Sequence, residues 1–251
     1  MNILAIDSSS DTLSLALSAK KGIFQSEIYA GARHSELLMV LIDKLFEKAG
    51  LKPIDLDLAA CMKGPGSFTG LRIGYAAVKG LSLALGIPAA AIPTLDCIAS
   101  SNCSWPGIVL PVLDAKKNCF YAAFYRQGKR LKDYVDTEAD TLFTMFCKLR
   151  DGSDEALLVT GNGAKLLDRE TNALGGNIFI DPLYGKGRAL EMIHFLKMPK
   201  TGKTIDNPEM LPFLEETGIL IDGNRDNSAG PLYIRKSDAE LNLIIKSKME
   251  K

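Results

Sequence analysis

The chain has 251 residues, of which 47% are hydrophobic and 24% are charged, a composition that can bury an interior and is unlike that of disordered proteins. Thirty basic and thirty acidic side chains cancel, and no stretch approaches the roughly 18 consecutive apolar residues of a membrane span. We therefore expect a cytosolic protein without a membrane partner, whose contacts with RNA are indirect.

The beginning of the chain predicts a strand hairpin followed by a helix. Ile3-Leu4-Ala5-Ile6 is typical of a short buried strand, Ser8-Ser9-Ser10-Asp11 of a turn, and residues 13–17 alternate as a second strand does. Residues 24–29 can add a third strand. Residues 35–49 predict a helix that ends at Gly50. One face of this helix is apolar and carries Leu37, Leu38, Leu41, Ile42, Leu45 and Phe46.

A glycine-rich string joins the next strand and helix. Residues 56–62 predict a strand, and Gly64-Pro65-Gly66-Ser67-Phe68-Thr69-Gly70-Leu71-Arg72 follows it. Residues 71–85 predict a helix that is apolar on all sides, so we expect it to be buried. Its small residues form two stripes, Gly70, Gly74 and Ala77 in one and Gly80 with Ala84 in the other. Such stripes let another backbone approach closely.

The second half of the chain repeats the opening hairpin. Residues 108–114 predict a buried strand that ends on an aspartate, and residues 119–125 predict its returning partner. A helix at 142–149 and a strand at 157–160 follow. This duplication predicts an α/β, two-lobed fold of the actin, sugar-kinase and Hsp70 type (ASKHA), with RNase H-like lobes.

We place the first lobe at residues 1–104 and the second at 105–251. The second lobe would include a long loop at about 198–230, which loses hydrophobic periodicity and collects Pro, Gly, Asp and Asn. A terminal helix would follow at 238–246.

Two turns that follow strands ending on aspartate are the elements with which kinases of this fold hold a nucleotide. The carboxylates act through metal or water, and backbone N–H groups of the turns bind phosphate. Here neither the turn after Asp7 nor the turn after Asp114 contains glycine, which close approach of a phosphate usually requires. We therefore favour a degenerate or empty cleft, with at most weak ATP or ADP binding, over a cleft that binds nucleotide tightly. Asp7 can simply cap its own turn.

The loop from Gly64 to Gly70 is neither a Rossmann fingerprint nor a P-loop, because its glycine spacing differs from both. With Ser67 or Thr69 as helix N-cap it could bind an anion, or it could be a tight turn that lets the helix pack, and the sequence leaves both open. His34 and His194 have no second ligand at helical spacing, so we expect no metal site.

Taken together, these segments resemble the bacterial TsaB (YeaZ) family. The glycine-rich string is the specific part of the resemblance. Weaker matches in the family's order are Ile3–Ser9, Arg33-His34-Ser35-Glu36-Leu37-Leu38, Asp114-Ala115 with Tyr121, and Pro231-Leu232-Tyr233-Ile234-Arg235. Lys116 and Lys117 depart from the family, which commonly has an arginine-rich turn there.

The resemblance implies a non-catalytic subunit of the machinery that installs N6-threonylcarbamoyladenosine (t6A) at A37 of tRNA. It implies a catalytic partner of the TsaD type with a His-x-x-x-His motif that this chain lacks, an ATPase of the TsaE type, and homodimers when the partner is absent. Pairing would use the first lobe. ATP or ADP could bind at the interface with the partner. The candidate interface residues are Leu38, Leu41, Ile42, Leu45, Gly70, Gly74, Ala77 and Leu81.

Two other functions remain open at this point. The duplicated aspartate turns are compatible with a small-molecule kinase or ATPase of the same fold. A metallopeptidase is suggested only by the older name glycoprotease for such proteins.

Overall fold

The computed structural model describes residues 1–171, 177–197, 220–221, 230–232 and 234 of the chain. Two mixed sheets form the centres of two lobes, and helices cover their faces. In the described residues, no helix has the length and apolar character needed to cross a membrane.

The first lobe is built on a six-stranded sheet in the order β13-β5-β4-β1-β2-β3. The elements up to residue 100 are β1 (Ile3–Asp7), β2 (Thr12–Ala19), β3 (Gly22–Tyr29), α1 (His34–Ala49), β4 (Leu58–Gly64), α2 (Phe68–Leu85), β5 (Ala89–Pro93) and α3 (Thr94–Ser100). Strands β1, β2 and β3 are antiparallel neighbours, and β1, β4 and β5 run parallel. Because successive side chains of β1 point to opposite faces, Leu4 and Ile6 join the core under α1 and α2, and Ile3 and Ala5 join a second core layer.

The second lobe repeats this plan with shorter elements. They are β6 (Ile108–Asp114), β7 (Phe120–Ala122), β8 (Tyr125–Arg126), β9 (Lys129–Arg130), β10 (Val135–Thr137), α4 (Ala139–Arg150), β11 (Leu157–Thr160), α5 (Ala164–Thr171) and β12 (Ile178–Ile180). Its sheet order β10-β7-β6-β11-β12 matches β3-β2-β1-β4-β5 of the first lobe, strand for strand. The duplicated α/β fold predicted from the two aspartate hairpins is therefore confirmed, and the β8–β9 hairpin is an addition to the repeat.

The predicted division at residue 104 assigns residues 189–197 and 220–221 to the wrong lobe. Helix α6 (Ala189–Lys197) packs on β1 and β2, and its Ala189, Met192 and Ile193 complete the second core layer of the first lobe. Strand β13 (Leu220–Ile221) pairs with β5, so part of the predicted loop at 198–230 is a strand of the first sheet. The chain crosses back to the first lobe after residue 188. The terminal helix predicted at 238–246 lies outside the described residues.

Helix α2 is not buried all round, contrary to the prediction. Its Leu71, Tyr75 and Val78 face the core, but Leu83 is 62% exposed. The helix begins at Phe68 rather than Leu71, and the left-handed Gly86 ends it. A helix that is apolar on every side gives no periodic signal for the face that points to water, so the sequence left this choice undetermined.

Candidate functional site

A cleft of about 530 Å³ opens between the two lobes at the carboxyl ends of the central strands. Its walls come from both aspartate turns and from the start of α2. The lining residues are 9–12, 66–68 and 113–116, with Tyr29, Tyr121, Asn162 and Gly185. Of the four predicted ligands, Ser67 and Asp114 line this cleft, while Asp7 and Thr69 do not. Because polar groups from both aspartate turns meet in it, this cleft is the place to test for a ligand.

Asp7 lies beneath the cleft and is only 2% exposed. One carboxylate oxygen accepts hydrogen bonds from the backbone N–H of Ser9 at 3.0 Å and from its hydroxyl at 2.6 Å. The other accepts the backbone N–H of Arg188 at 2.9 Å. The first contact is the turn-capping bond that the sequence allowed, and the second joins the first aspartate turn to the segment that enters α6. Both oxygens are thus used by groups of the chain itself.

Arg188 is the residue of this site that the sequence did not point to. It is 3% exposed, and its guanidinium donates to the hydroxyl of Thr160 at 3.3 Å and to the carbonyl of Leu183 at 3.2 Å. Thr160 in turn donates to Asp181 at 2.7 Å. Because the backbone of Arg188 holds Asp7 and its side chain holds the second lobe, it fixes the two lobes to each other. What marks Arg188 as important is that it is buried and that its guanidinium is hydrogen-bonded, and neither property can be read from the sequence.

The glycine-rich loop docks on the first aspartate turn. The backbone N–H of Ser67 donates to the carbonyl of Ser9 at 2.7 Å, and the Ser67 hydroxyl caps α2 by accepting the N–H of Gly70 at 3.2 Å. A Cβ on Gly70 would overlap the carbonyl oxygen of Ser8, so only glycine fits there. The tight-turn interpretation of this loop therefore describes what the structure shows, and Thr69 is exposed without a capping role.

Most of the predicted interface residues point inward. Leu38, Ile42 and Leu45 are at most 3% exposed and pack in the core of the first lobe. Ser8 packs directly against Gly70 and Gly74, so this stripe of small residues lies against the interior of the lobe. These five interface predictions are therefore wrong, since the residues are packed inside the free chain. Apolar residues that pack internally look the same in sequence as those of an interface. Leu41, Ala77 and Leu81 are half-buried at the surface of the same core.

Asp114 lines the cleft and is bound by the residue two positions later. Its carboxylate accepts the backbone N–H of Lys116 at 2.7 Å and the Lys116 amine at 2.7 Å, one on each oxygen. The backbone N–H of Asp114 donates to the Asn162 side chain at 3.3 Å. Partners within the chain therefore occupy both aspartates, and these residues do not fit a metal-bound nucleotide, which needs carboxylate oxygens that are open to metal or water.

A polar cluster on another part of the interface between the lobes joins α3 to the β8–β9 hairpin. The Tyr125 hydroxyl donates to Asp96 at 2.5 Å, and Arg130 lies 3.6 Å from the same carboxylate. Burial, reinforced by the charge of Asp96, raises the pKa of the Tyr125 phenol well above its ordinary value. The pKa of Tyr134 is also raised, mainly by burial. Because Asp96 pairs with both Tyr125 and Arg130, we interpret this cluster as a structural link between the two elements.

The two histidines lie in different places. His34 is buried at the start of α1, and His194 is exposed on α6. In the part of the chain that the structure describes, no three His, Cys, Asp or Glu side chains are grouped so that they could hold a metal ion.

Comparison with known proteins identifies the family. A family model described as tRNA N6-adenosine threonylcarbamoyltransferase (TsaD) matches residues 19–160, more than half of the chain. The tRNA threonylcarbamoyladenosine biosynthesis protein TsaB of Bacillus subtilis is 30% identical over 167 residues, which cover 66% of this chain and 73% of that protein. The tRNA N6-adenosine threonylcarbamoyltransferase of Kosmotoga olearia is 26% identical over 189 residues, covering 65% of this chain and 57% of that protein.

A solved structure supports the same fold. YeaZ from Pseudomonas aeruginosa superposes with a TM-score of 0.69 at 20% identity, covering 93% of this chain and 99% of that chain. At this identity the structural likeness establishes the fold, and the sequence relatives establish the family. The chain belongs to the TsaB (YeaZ) family.

Proposed function

We propose that this chain takes part in the synthesis of t6A in tRNA as a non-catalytic subunit, by pairing with a catalytic partner of the TsaD type. The names of its relatives support the pathway, since both the TsaB protein and the threonylcarbamoyltransferase match it. The hydrogen bonds that the chain itself makes to Asp7, beneath the cleft, and to Asp114, on its wall, support a role without catalysis.

The observation that carries the pairing is an exposed apolar surface on α1 and α2, here called the paired-helix face. It consists of Leu37, Val40 and Leu41 from α1 and Ala76, Ala77, Gly80, Leu81, Leu83 and Ala84 from α2. Val40 is 50% and Leu83 is 62% exposed, although both are large and apolar. Helices α1 and α2 contact each other, and exposed apolar residues on neighbouring helices are typical of sites that bind other proteins.

Small residues give the paired-helix face a shape suited to another helix. Ala76, Gly80 and Ala84 are spaced four residues apart and exposed, so they lie along one line of the helix. A Cβ added to Gly80 meets nothing within 4 Å. A stripe without long side chains lets the axis of a second helix approach closely, which increases the packed area. The predicted stripe of Gly80 and Ala84 is the one left open for a partner.

The same face also accounts for the self-association that we propose. In the absence of a TsaD-type subunit, two copies of this chain would cover the face with each other, because the exposed apolar area favours self-association.

We propose that ATP or ADP binds the isolated chain weakly and binds tightly only where the partner completes a site. A TsaE-type ATPase would join the paired subunits, and tRNA would be bound chiefly by the partner.

Co-purification tests the pairing. Gly80→Leu places a branched side chain on the open stripe without disturbing the interior, so we expect at least a ten-fold loss of affinity for a co-expressed TsaD-type subunit. Lys165→Leu adds the same side chain to an exposed position of α5 in the second lobe and serves as the control. Equal recovery of the partner with both variants would exclude the paired-helix face.

Nucleoside mass spectrometry tests the pathway. Depletion of this chain should lower t6A in total tRNA, and wild-type chain or Lys165→Leu should restore it while Gly80→Leu should not. Unchanged t6A after depletion would exclude the proposed function altogether.

A further inference from the structure

The turn between β6 and β7 has a backbone that its residues disfavour. Lys116, Lys117 and Asn118 have φ values of 61°, 56° and 58°, so three successive residues with side chains are left-handed. The turn is closed by hydrogen bonds from Ala115 N–H to the Cys119 carbonyl and from Cys119 N–H to the Lys116 carbonyl. Such conformations persist where surrounding contacts determine them, and they cluster at sites with a specific task.

This turn places Lys116 against the carboxylate of Asp114. Both its N–H and its amine reach back to Asp114, each at 2.7 Å. The hydrogen bond to Asp114 raises the pKa of the Lys116 amine, partial burial opposes this, and the charges of Asp114 and Asp11 and the phenol of Tyr29 add to it. Asp11 and Tyr29 belong to the opposite wall of the cleft. The amine therefore neutralises one wall and is attracted by the other.

We propose that the ammonium group of Lys116 takes the place of a divalent cation at Asp114 and so keeps divalent cations out of the cleft. A divalent cation would need the same carboxylate oxygens. The ammonium group of Lys116 occupies Oδ2 and repels the ion, and the Lys116 backbone N–H occupies Oδ1. This contact accounts for the misfit between the cleft and a metal-bound nucleotide, and it does not depend on any partner subunit.

Removal of the amine should convert Asp114 into an open ligand. Lys116 is 77% exposed, so Lys116→Met should leave the fold intact, and Lys116→Gly, which also suits the left-handed backbone, is a second variant that removes the amine. The probe is Mn²⁺ alone, measured as loss of the free-ion signal in electron paramagnetic resonance. We expect at least ten-fold tighter Mn²⁺ binding in both variants than in the wild-type chain.

Three matched variants distinguish this contact from a change in net charge. Lys117→Met removes the same charge from the neighbouring residue and should bind Mn²⁺ as the wild type does. Lys116→Arg keeps a cation in place and should also behave as the wild type. Asp114→Asn added to Lys116→Met should abolish the gain.

The proposal is overturned by either of two results. Mn²⁺ affinity within three-fold of wild type in both Lys116→Met and Lys116→Gly would show that the amine does not exclude the ion. An equal gain in Lys117→Met would show that only net charge matters. A rise of thermal stability with Mn²⁺ in Lys116→Met, absent from the wild type, would support the proposal independently of the resonance signal.

Discussion

Replacing Asp7 with asparagine removes a negative charge and one acceptor oxygen while leaving the side-chain volume almost unchanged. The carboxylate is 2% exposed and accepts three hydrogen bonds, two from Ser9 and one from Arg188. Hydrogen bonds to a charged group contribute roughly 1.5–3 kcal/mol each, and a buried donor without an acceptor costs about 1–3 kcal/mol. Asparagine keeps one acceptor oxygen, but its NH₂ group must face either the Ser9 donors or the Arg188 N–H. We expect the free energy of unfolding to fall by about 3 kcal/mol.

Urea denaturation followed by circular dichroism measures this loss as a shift of the midpoint at constant m-value. Asp11→Asn is the control. Asp11 lies in the same turn but is exposed, and its backbone carbonyl accepts the N–H groups of Ala30 and Gly31, so this variant should stay within about 0.5 kcal/mol of wild type.

A functional role for Asp7 predicts the opposite result. Carboxylates held for ligand binding commonly cost stability, and their replacement is neutral or stabilising. An Asp7→Asn chain as stable as the wild type, or more stable, would refute the structural role and reopen the cleft as a nucleotide site.

Three further predictions concern other parts of the fold. Gly70→Ala should destabilise the chain by about 3 kcal/mol or more in the same urea assay, because its Cβ overlaps the Ser8 carbonyl, whereas Gly80→Ala should stabilise it by about 1 kcal/mol through helix propensity; similar effects would contradict the packing described. Above pH 10 the unfolded chain loses the Tyr125 proton while the folded chain retains it, so stability should fall by about 1.4 kcal/mol per pH unit for this group, and Tyr125→Phe should make the slope shallower in alkaline denaturation. Gln127→Asn should stabilise the β8–β9 turn by about 0.5–1 kcal/mol in thermal melts, because Gln127 has a φ of 50° and precedes Gly128 with a φ of 74°, a turn that favours Asn-Gly; a loss of stability would contradict this turn geometry.

The sequence by itself determined the duplicated plan. Buried strands that end on Asp7 and Asp114, polar turns and amphipathic helices are local patterns, and each depends on residues only a few positions apart. For that reason the two aspartate hairpins and the position of the glycine-rich loop at the start of α2 agree with expectation.

Only the tertiary structure decided how these parts are used. The contact between Asp7 and Arg188 joins residues 181 positions apart, and α6 returns to the first lobe over a similar distance, so neither leaves a pattern in the local sequence. The outward face of α2 was equally hidden, because all its faces are apolar and only packing against the sheet determines which one meets water. The sequence thus defines which elements form, whereas the packing of distant segments decides what binds Asp7 and which apolar residues remain for a partner.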